Sequence, residues 1–185
     1  MKNRYGIDIW SDDNFFIEDG VVKVNYKPYP SLIKIVKDVR KQGFKGPLLL
    51  RFPHITKKQV KTLFNTFNAS IKEYDYKGKF NAVFPLKVNQ LPNFIHPLVS
   101  YGKKYNYGLE AGSKAELIIA MTYNNMGSPI TINGFKDKEM IHLCFIAKSM
   151  GHDITVIIEG LNELEMILEV LKETKMEAPN VGLRV

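Results

Sequence analysis

The stretch PITINGFKDKEMIHLCFIAKSMGHDITVIIEG, residues 129–160, contains one complete strand–helix–strand unit. Residues 129–133 and 153–159 are short apolar runs with turn residues beside them, a pattern typical of buried strands. Between them, Asp137 can cap a helix that runs to Met150. Two buried strands joined by such a helix predict a parallel βαβ unit, since parallel strands need a long crossover connection.

The same alternation extends to both sides of this unit. Further strands are predicted at residues 47–52, 80–88, 105–109 and 181–185, and further helices at residues 31–43, 56–71, 92–103 and 161–173. Another helix is predicted to begin at the capping box that Ser113 and Glu116 can form. About six parallel strands form either an open doubly wound sheet or a closed barrel. An eight-stranded barrel needs about 250 residues. We therefore expect part of such a barrel, or alternatively a complete six-stranded open sheet.

The first part of the chain has a different pattern. Residues 5–10 alternate between apolar and polar side chains, which predicts a short strand. Asp19 and Gly20 separate two extended runs, which is a hairpin signal. The expected organisation is an N-terminal β-hairpin segment at residues 1–30, followed at residues 31–185 by the first part of a barrel. Because the chain ends within a predicted strand, we expect the barrel to continue beyond it.

Composition restricts the class of protein. The chain has 185 residues, of which 45% are hydrophobic and 24% charged, an ordinary balance for a folded domain. No apolar run reaches the roughly 18 residues that a transmembrane helix needs, and no secretory leader is evident. Cys144 is the single cysteine, so no disulfide can form within the chain. These features predict a cytoplasmic protein that does not bind membranes.

The net charge is +7 and the isoelectric point is about 9.3. A basic balance can serve nucleic-acid binding. Here, however, the lysines are spread over many predicted helices, and the densest pairs are Lys57–Lys58 and Lys103–Lys104. We therefore expect no nucleic-acid partner. Solvated helix faces and an anionic small ligand account for the charge.

Polar residues lie where the predicted strands end, at the positions Lys87, Glu110, Asn133 and Arg184. In a barrel these positions share the face that holds the active site. Lys87 follows an apolar run, so we expect it to be partly desolvated and its amine suited to forming a Schiff base. A solvated lysine at the strand end is the alternative. Likewise, Glu110 can simply accept an amide hydrogen bond, Asn133 can belong to a turn, and Arg184 can form an ion pair.

Two other kinds of site lack support in the sequence. The four histidines have no metal-ligand spacing and no neighbouring cysteine pair. Neither the glycine-rich dinucleotide fingerprint nor the P-loop motif occurs. Both observations weigh against a structural metal site and against a nucleotide-binding fold.

Three blocks of the sequence resemble those of a known family. FPLKVNQ at residues 84–90 is similar to the cofactor-lysine motif of the biosynthetic arginine decarboxylases. YGLEAGSKAEL at residues 107–117 and NGFKD at residues 133–137 match two further blocks, and residues 5–16 resemble the family's N-terminal lead. The resemblance covers nearly the whole chain.

That resemblance implies a fold and an activity. The family binds pyridoxal phosphate on an alanine-racemase-like barrel and converts L-arginine to agmatine and carbon dioxide for polyamine synthesis, usually with Mg²⁺ as a second cofactor. Lys87 would then carry the cofactor as a Schiff base, with Glu110 and Arg184 beside it. Asn133 begins its block and is included as a cofactor-binding candidate. The family's partner is a small-molecule substrate, and a homo-oligomer is expected.

The resemblance also leaves alternatives open. Another decarboxylase of the same fold could act on ornithine, diaminopimelate or carboxynorspermidine, and a non-catalytic barrel could bind pyridoxal phosphate through the same lysine. The family's phosphate-binding glycines, ring-nitrogen acid and partner-subunit residues come later in its sequence than the part that matches residues 1–185. We therefore expect these 185 residues alone to be inactive.

Overall fold

The structure is a computed structural model that describes residues 6–185. The chain divides into two compact units, one that ends at Ile55 and one that comprises Thr56–Val185. The predicted division of the chain after residue 30 stays a prediction.

The first unit is built around a hairpin. Its elements are α1 (Ile7–Trp10), β1 (Phe15–Glu18), β2 (Val21–Val24) and α2 (Leu32–Lys41), and α3 (Pro53–Glu73) begins in it. The two strands are antiparallel, with Phe15 opposite Val24 and Glu18 opposite Val21. Asp19 and Gly20 form the turn with positive φ angles of 52° and 74°, as a two-residue hairpin loop requires. The predicted hairpin is confirmed.

The predicted strand at residues 5–10 is wrong. Tyr5 lies outside the described residues, and Ile7–Trp10 forms a single helical turn. Ile7 is 5% exposed and Ile9 is 81% exposed. Two residues that share one face of a strand lie on different sides of a helix, so a six-residue alternation was too short to distinguish the two structures.

Helix α2 has the expected ends. The Ser31 hydroxyl accepts a hydrogen bond from the Lys34 amide at 3.3 Å, and Gly43 follows the last turn with a φ of 93°. The strand predicted at residues 47–52 is wrong: the segment is irregular, and Leu49 is 76% exposed. A strand forms only when a neighbour satisfies its backbone groups, and no strand of residues 6–185 pairs with it.

The second unit alternates strands and helices. The strands are β3 (Val83–Pro85), β4 (Gly108–Ala111), β5 (Pro129–Ile132), β6 (Asp153–Ile158) and β7 (Asn180–Leu183). The helices, after the remainder of α3, are α4 (Pro92–Gly102), α5 (Lys114–Tyr123), α6 (Lys138–Ser149) and α7 (Leu161–Thr174). None of the helices within residues 6–185 combines the length and the apolar character that crossing a membrane would require.

The five strands form one parallel sheet in the order β3-β4-β5-β6-β7. Each strand therefore lies beside the next one in sequence, joined by a helix. A doubly wound sheet would reverse its strand order at a switch point. A sheet that always advances in the same direction is the arrangement of a (β/α)₈ barrel. The described sheet is thus part of such a barrel. It contains five strands, whereas six were predicted.

The hydrophobic core lies between this sheet and its helices. Alternate strand residues such as Leu109, Ile132 and Val156 are buried against apolar residues of α4 to α7. The opposite face of the sheet carries half-exposed residues, including Glu110 and Thr131. Since side chains alternate along a strand, the same strands place apolar residues in the core and polar residues on the opposite face of the sheet.

Several strand boundaries differ from the predictions, and β7, for example, ends at Leu183 rather than at residue 185. β3 is only Val83–Pro85, and residues 86–88 form a 3₁₀ turn after it. β4 begins at Gly108 rather than at residue 105, because Lys103–Tyr105 continue from α4 as a 3₁₀ turn. Asn106 ends that turn in the left-handed region, with a φ of 56°. Glu110 consequently lies within β4 and not after it.

Candidate functional site

The four predicted site residues all lie toward the carboxyl ends of parallel strands. Lys87 follows β3, Glu110 lies in β4, Asn133 follows β5 and Arg184 follows β7. In an α/β barrel this edge of the sheet is where substrate and cofactor bind. The topology therefore brings the four residues to the same side of the sheet, although they are nearly a hundred positions apart in sequence.

Lys87 lies in the 3₁₀ turn directly after β3. Its neighbour Leu86 is fully buried in the core, whereas Lys87 itself is exposed. The expectation that Lys87 is partly desolvated is therefore wrong within residues 6–185, because Leu86 and not Lys87 takes the buried position of the turn. Its ammonium makes no ion pair with the residues that the structure describes. A primary amine is thus available at the strand end.

Glu110 and Asn133 are in contact across neighbouring strands. The Asn133 amide group donates to Oε2 of Glu110 at 3.4 Å, and the Asn133 backbone amide donates to the Ala111 carbonyl at 3.0 Å. The side-chain oxygen Oδ1 of Asn133 is buried and has no hydrogen-bond partner among the described residues. An unpaired buried acceptor is costly, so this atom suits a donor from outside residues 6–185.

Arg184 is exposed and forms an ion pair. Its Nη1 donates to Oε1 of Glu159 at 2.8 Å, and its backbone amide donates to the Ile158 carbonyl at 3.1 Å. The ion-pair alternative for Arg184 is therefore the contact present here. The remaining N–H groups of the guanidinium fork stay available to a bound oxygen.

A buried carboxylate links the loops after β3 and β4, and the sequence analysis did not single it out as a site residue. Glu116 accepts from the Gly112 amide through Oε2 at 2.7 Å and from the Gln90 side chain through Oε1 at 3.0 Å. The capping box predicted from Ser113 is present in part, since Ser113 Oγ accepts from the Glu116 amide. The glutamate, however, reaches the residue before the cap rather than the cap itself.

Lys136 and Glu163 form a second buried connection that sequence reasoning missed. Lys136 Nζ lies 3.1 Å from Glu163 Oε1, and it also donates to the Gly134 carbonyl. The Lys136 side chain is 0% exposed. Lys136 belongs to the NGFKD block, and its place in that block was the only sequence feature that could have identified it as a site residue. A lysine between Phe135 and Asp137 carries no local sign of burial.

Two glycines let the loops after β4 and β5 approach closely. A Cβ atom at Gly134 would lie 2.6 Å from the Gly112 carbonyl oxygen and 3.0 Å from its Cα. Such contacts are shorter than side-chain atoms tolerate, so the close approach requires glycine at position 134. Gly134 is therefore needed for the packing of these two loops as well as for the turn after β5.

Neither Cys144 nor a group of metal-ligating side chains provides a second site within residues 6–185. Burial raises the pKa of the Cys144 thiol to about 12, which suits a core residue rather than a nucleophile. No group of three metal-ligating side chains occurs within residues 6–185.

A groove near the amino end of β4 collects several lysines. It encloses about 640 Å³ and is lined by Lys57, Lys61, Ser100, Tyr101, Lys103, Lys104 and Tyr105. Lys57 lies over the Tyr101 ring, 5.5 Å from its centroid. Lysines that are separated in sequence are thus adjacent here, at the opposite edge of the sheet from the candidate site.

Comparison with known proteins extends this description. No family model matches the chain. The chain is 36% identical over 188 residues to a biosynthetic arginine decarboxylase of Prochlorococcus marinus (strain MIT 9515), and 40% identical over 189 residues to that of Citrifermentans bemidjiense. Each alignment covers 98% of this chain and 29% of the relative. The chain therefore spans less than a third of the length of these relatives.

Solved structures give the same result for the fold. The biosynthetic arginine decarboxylase SpeA from Campylobacter jejuni superposes with a TM-score of 0.95 at 60% identity, over 98% of this chain and 31% of that protein. A diaminopimelate decarboxylase from M. jannaschi superposes with a TM-score of 0.68 at 24% identity, over 94% of this chain and 36% of that protein. The second match supports the fold alone.

The fold is thus a partial (β/α)₈ barrel of the kind found in amino-acid decarboxylases, as predicted. Within that class, the chain is homologous to the N-terminal portion of the biosynthetic arginine decarboxylases, which confirms the family resemblance.

Proposed function

We propose that the protein carrying this chain is a pyridoxal-phosphate-dependent decarboxylase that converts L-arginine to agmatine and carbon dioxide. The observation that carries the proposal is the 60% identity to the Campylobacter jejuni arginine decarboxylase over 98% of this chain. Within the proposed enzyme, residues 6–185 supply the cofactor lysine and part of the surrounding pocket wall.

The residues at the strand ends fit the cofactor chemically. Pyridoxal phosphate offers an aldehyde for an amine and several anionic oxygens for cationic groups. The exposed amine of Lys87 and the exposed guanidinium of Arg184 match these groups. Asn133 adds a buried oxygen that has no donor within residues 6–185. When bound, the cofactor withdraws the electrons that the departing carboxylate leaves behind.

Each residue has a proposed role that its own chemistry supports. Lys87 holds the cofactor covalently and exchanges it with the substrate amine. Glu110 places a carboxylate on the open face of the sheet, where Asn133 orients it through the contact at 3.4 Å. Arg184, steered by Glu159 at 2.8 Å, presents N–H donors to a cofactor oxygen.

Further parts of the proposal rest on the family alone. Mg²⁺ as a second cofactor, a homo-oligomer and a cytoplasmic location stay predictions. So does the expectation that these 185 residues do not decarboxylate arginine without the rest of the pocket.

A related decarboxylase with another substrate is the second candidate. It is favoured only by the fold shared with a diaminopimelate decarboxylase, at 24% identity. A non-catalytic barrel that binds pyridoxal phosphate through Lys87 is a third candidate, from a different functional class. Both share the anchor lysine, so substrate turnover separates the candidates and cofactor binding does not.

The test uses the natural full-length protein, purified and supplied with pyridoxal phosphate. We expect agmatine from L-arginine, and much slower turnover of ornithine or diaminopimelate. Product from one of those amino acids instead would replace arginine as the substrate. Absence of any decarboxylation, with the cofactor bound, would favour the non-catalytic barrel.

The cofactor role of Lys87 is tested separately by substitution. Lys87→Ala should abolish the visible absorbance of the lysine-bound cofactor, and Lys87→Arg should do the same because a guanidinium is a poor nucleophile. Lys79→Ala, which removes an exposed lysine just before β3, is the matched control and should keep the absorbance. A Lys87→Ala protein with unchanged absorbance would exclude Lys87 as the anchor.

A further inference from the structure

We infer that Lys136 is a positioning residue: its buried ion pair with Glu163 fixes the loops after β5 and β6, and through them Asn133 and Arg184. This inference rests on the proposed cofactor site and adds a residue that does not itself face it. It follows from a series of contacts across the carboxyl ends of four strands, made of one buried ion pair, several hydrogen bonds and the peptide link between Asn133 and Gly134.

The centre of the series is buried. The side chains of Lys136 and Glu163 are 0% and 9% exposed, with 3.1 Å between Nζ and Oε1. Removing two charges from water costs free energy that their attraction only partly returns. An apolar pair would fill the same space without that cost, so the ion pair is better explained by the geometry that it imposes than by stability.

On one side, the series reaches Arg184. Glu163 uses its second oxygen, Oε2, to accept from the Glu159 amide at 2.9 Å. Glu159 in turn accepts from Arg184 Nη1 at 2.8 Å. Lys136 orients the Glu163 carboxylate, Glu163 holds the backbone of Glu159, and the Glu159 side chain directs the guanidinium.

On the other side, the series reaches Asn133. Lys136 donates to the Gly134 carbonyl, and Gly134 lies directly against the backbone of Gly112. Asn133, the residue before Gly134, donates to Glu110 at 3.4 Å. Withdrawal of the ammonium would free the Gly134 carbonyl and loosen the loop that aims Asn133 at Glu110.

The experiment compares cofactor affinity with stability in the natural full-length protein. The variants are Lys136→Met, Glu163→Gln and the double variant with both changes. The double variant leaves no unpaired buried charge, and glutamine can still accept from the Glu159 amide. Lys138→Met is the matched control, because Lys138 lies two residues away and its ion pairs, with Glu169 and Glu173, are on the helix surface.

Two quantities are measured, the melting temperature of the apoprotein and the Kd for pyridoxal phosphate from its absorbance. We expect the single variants to melt lower and the double variant to recover most of that loss. The Kd of the double variant should nevertheless stay raised by about tenfold, as when residues that orient metal ligands are changed. Lys138→Met should change neither quantity.

The outcomes separate this inference from the proposed function. If the double variant binds pyridoxal phosphate as tightly as the unaltered protein, Lys136 has only a structural role and the inference is wrong. If the unaltered protein fails to bind pyridoxal phosphate, the proposed function is wrong and the inference is withdrawn with it.

Discussion

Glu116 and Glu163 occupy the same position in two different βα units. Each is the third residue of its helix, each is almost completely buried, and each accepts through Oε2 from the amide of the residue before the helix cap. The distances are 2.7 Å to Gly112 and 2.9 Å to Glu159. A repeated contact of this kind fixes the strand-to-helix turns on which the candidate site residues are carried.

Replacement of Glu116 should loosen the turn after β4. Glu116→Ala removes the acceptor of the Gly112 amide and of the Gln90 side chain, and we expect a loss of about 1 to 3 kcal/mol in the free energy of unfolding. Hydrogen exchange at Gly112 should become faster than that of its neighbours in β4. Glu165→Ala, an exposed glutamate of α7, is the control. Unchanged exchange at Gly112 would show that water or another group replaces the carboxylate.

A side chain at position 134 should be poorly tolerated. In Gly134→Ala the new Cβ would meet the Gly112 backbone at 2.6 Å, whereas in Gly112→Ala it would meet Asn133 O and Glu116 Oε2 at 3.3 and 3.4 Å. We expect the free energy of unfolding to fall by about 1 to 3 kcal/mol for Gly134→Ala and by less for Gly112→Ala. Urea denaturation of both variants measures the difference. The reverse order would contradict the close approach of the two loops.

The single cysteine should be unreactive in the folded protein. Burial in the core raises the pKa of Cys144 to about 12, so almost no thiolate is present at neutral pH. A disulfide reagent should therefore label Cys144 only when denaturant unfolds the chain. Rapid labelling of the native protein would mean that α6 opens readily or packs differently.

Stability should fall on mild acidification, in part because of His152. Burial lowers the pKa of His152 below its ordinary value of 6.5, so the imidazole is neutral in the folded state and gains a proton more readily on unfolding. The free energy of unfolding is therefore highest above the unfolded-state pKa of about 6.5 and decreases as the pH falls below that value. His152→Asn should flatten this part of the profile measured by urea denaturation.

Two other histidines bear on that profile. The pKa of His54 is lowered by burial as well, so some pH dependence should persist in His152→Asn. His96 is exposed, and His96→Asn is the control for the substitution itself. Equal profiles for His152→Asn and the unaltered protein would show that His152 does not contribute.

Much of the second unit was predictable from local signals. The side chains of Ser113 and Asp137 cap α5 and α6 as expected, accepting from the amides three residues later at 3.3 and 2.8 Å. The strand at Asp153–Ile158 begins where it was predicted and ends one residue earlier. These features depend on a few consecutive residues, whose hydrogen-bonding and apolar spacing act over one turn or one strand.

The predictions that were wrong concern features that depend on residues distant in sequence. The segment 47–52 has strand-forming composition but no partner strand among the described residues, and composition cannot supply one. Lys87 was expected to be partly desolvated because apolar residues precede it, yet Leu86 takes the buried position and leaves Lys87 exposed. Adjacent residues of a turn point in different directions, so that one side chain can be buried while the next is exposed to solvent.

By itself, the sequence determined the alternation of strands and helices, the caps, the hairpin turn and the family, because each is a property of neighbouring residues or of short blocks. Only the tertiary structure decided that Lys136 is buried, that its ammonium pairs with Glu163, and that a series of contacts links Asn133 to Arg184 through this ion pair. Whether a residue is buried depends on the other segments that surround it. Only the folded sheet brings positions 110, 136, 163 and 184 to one edge.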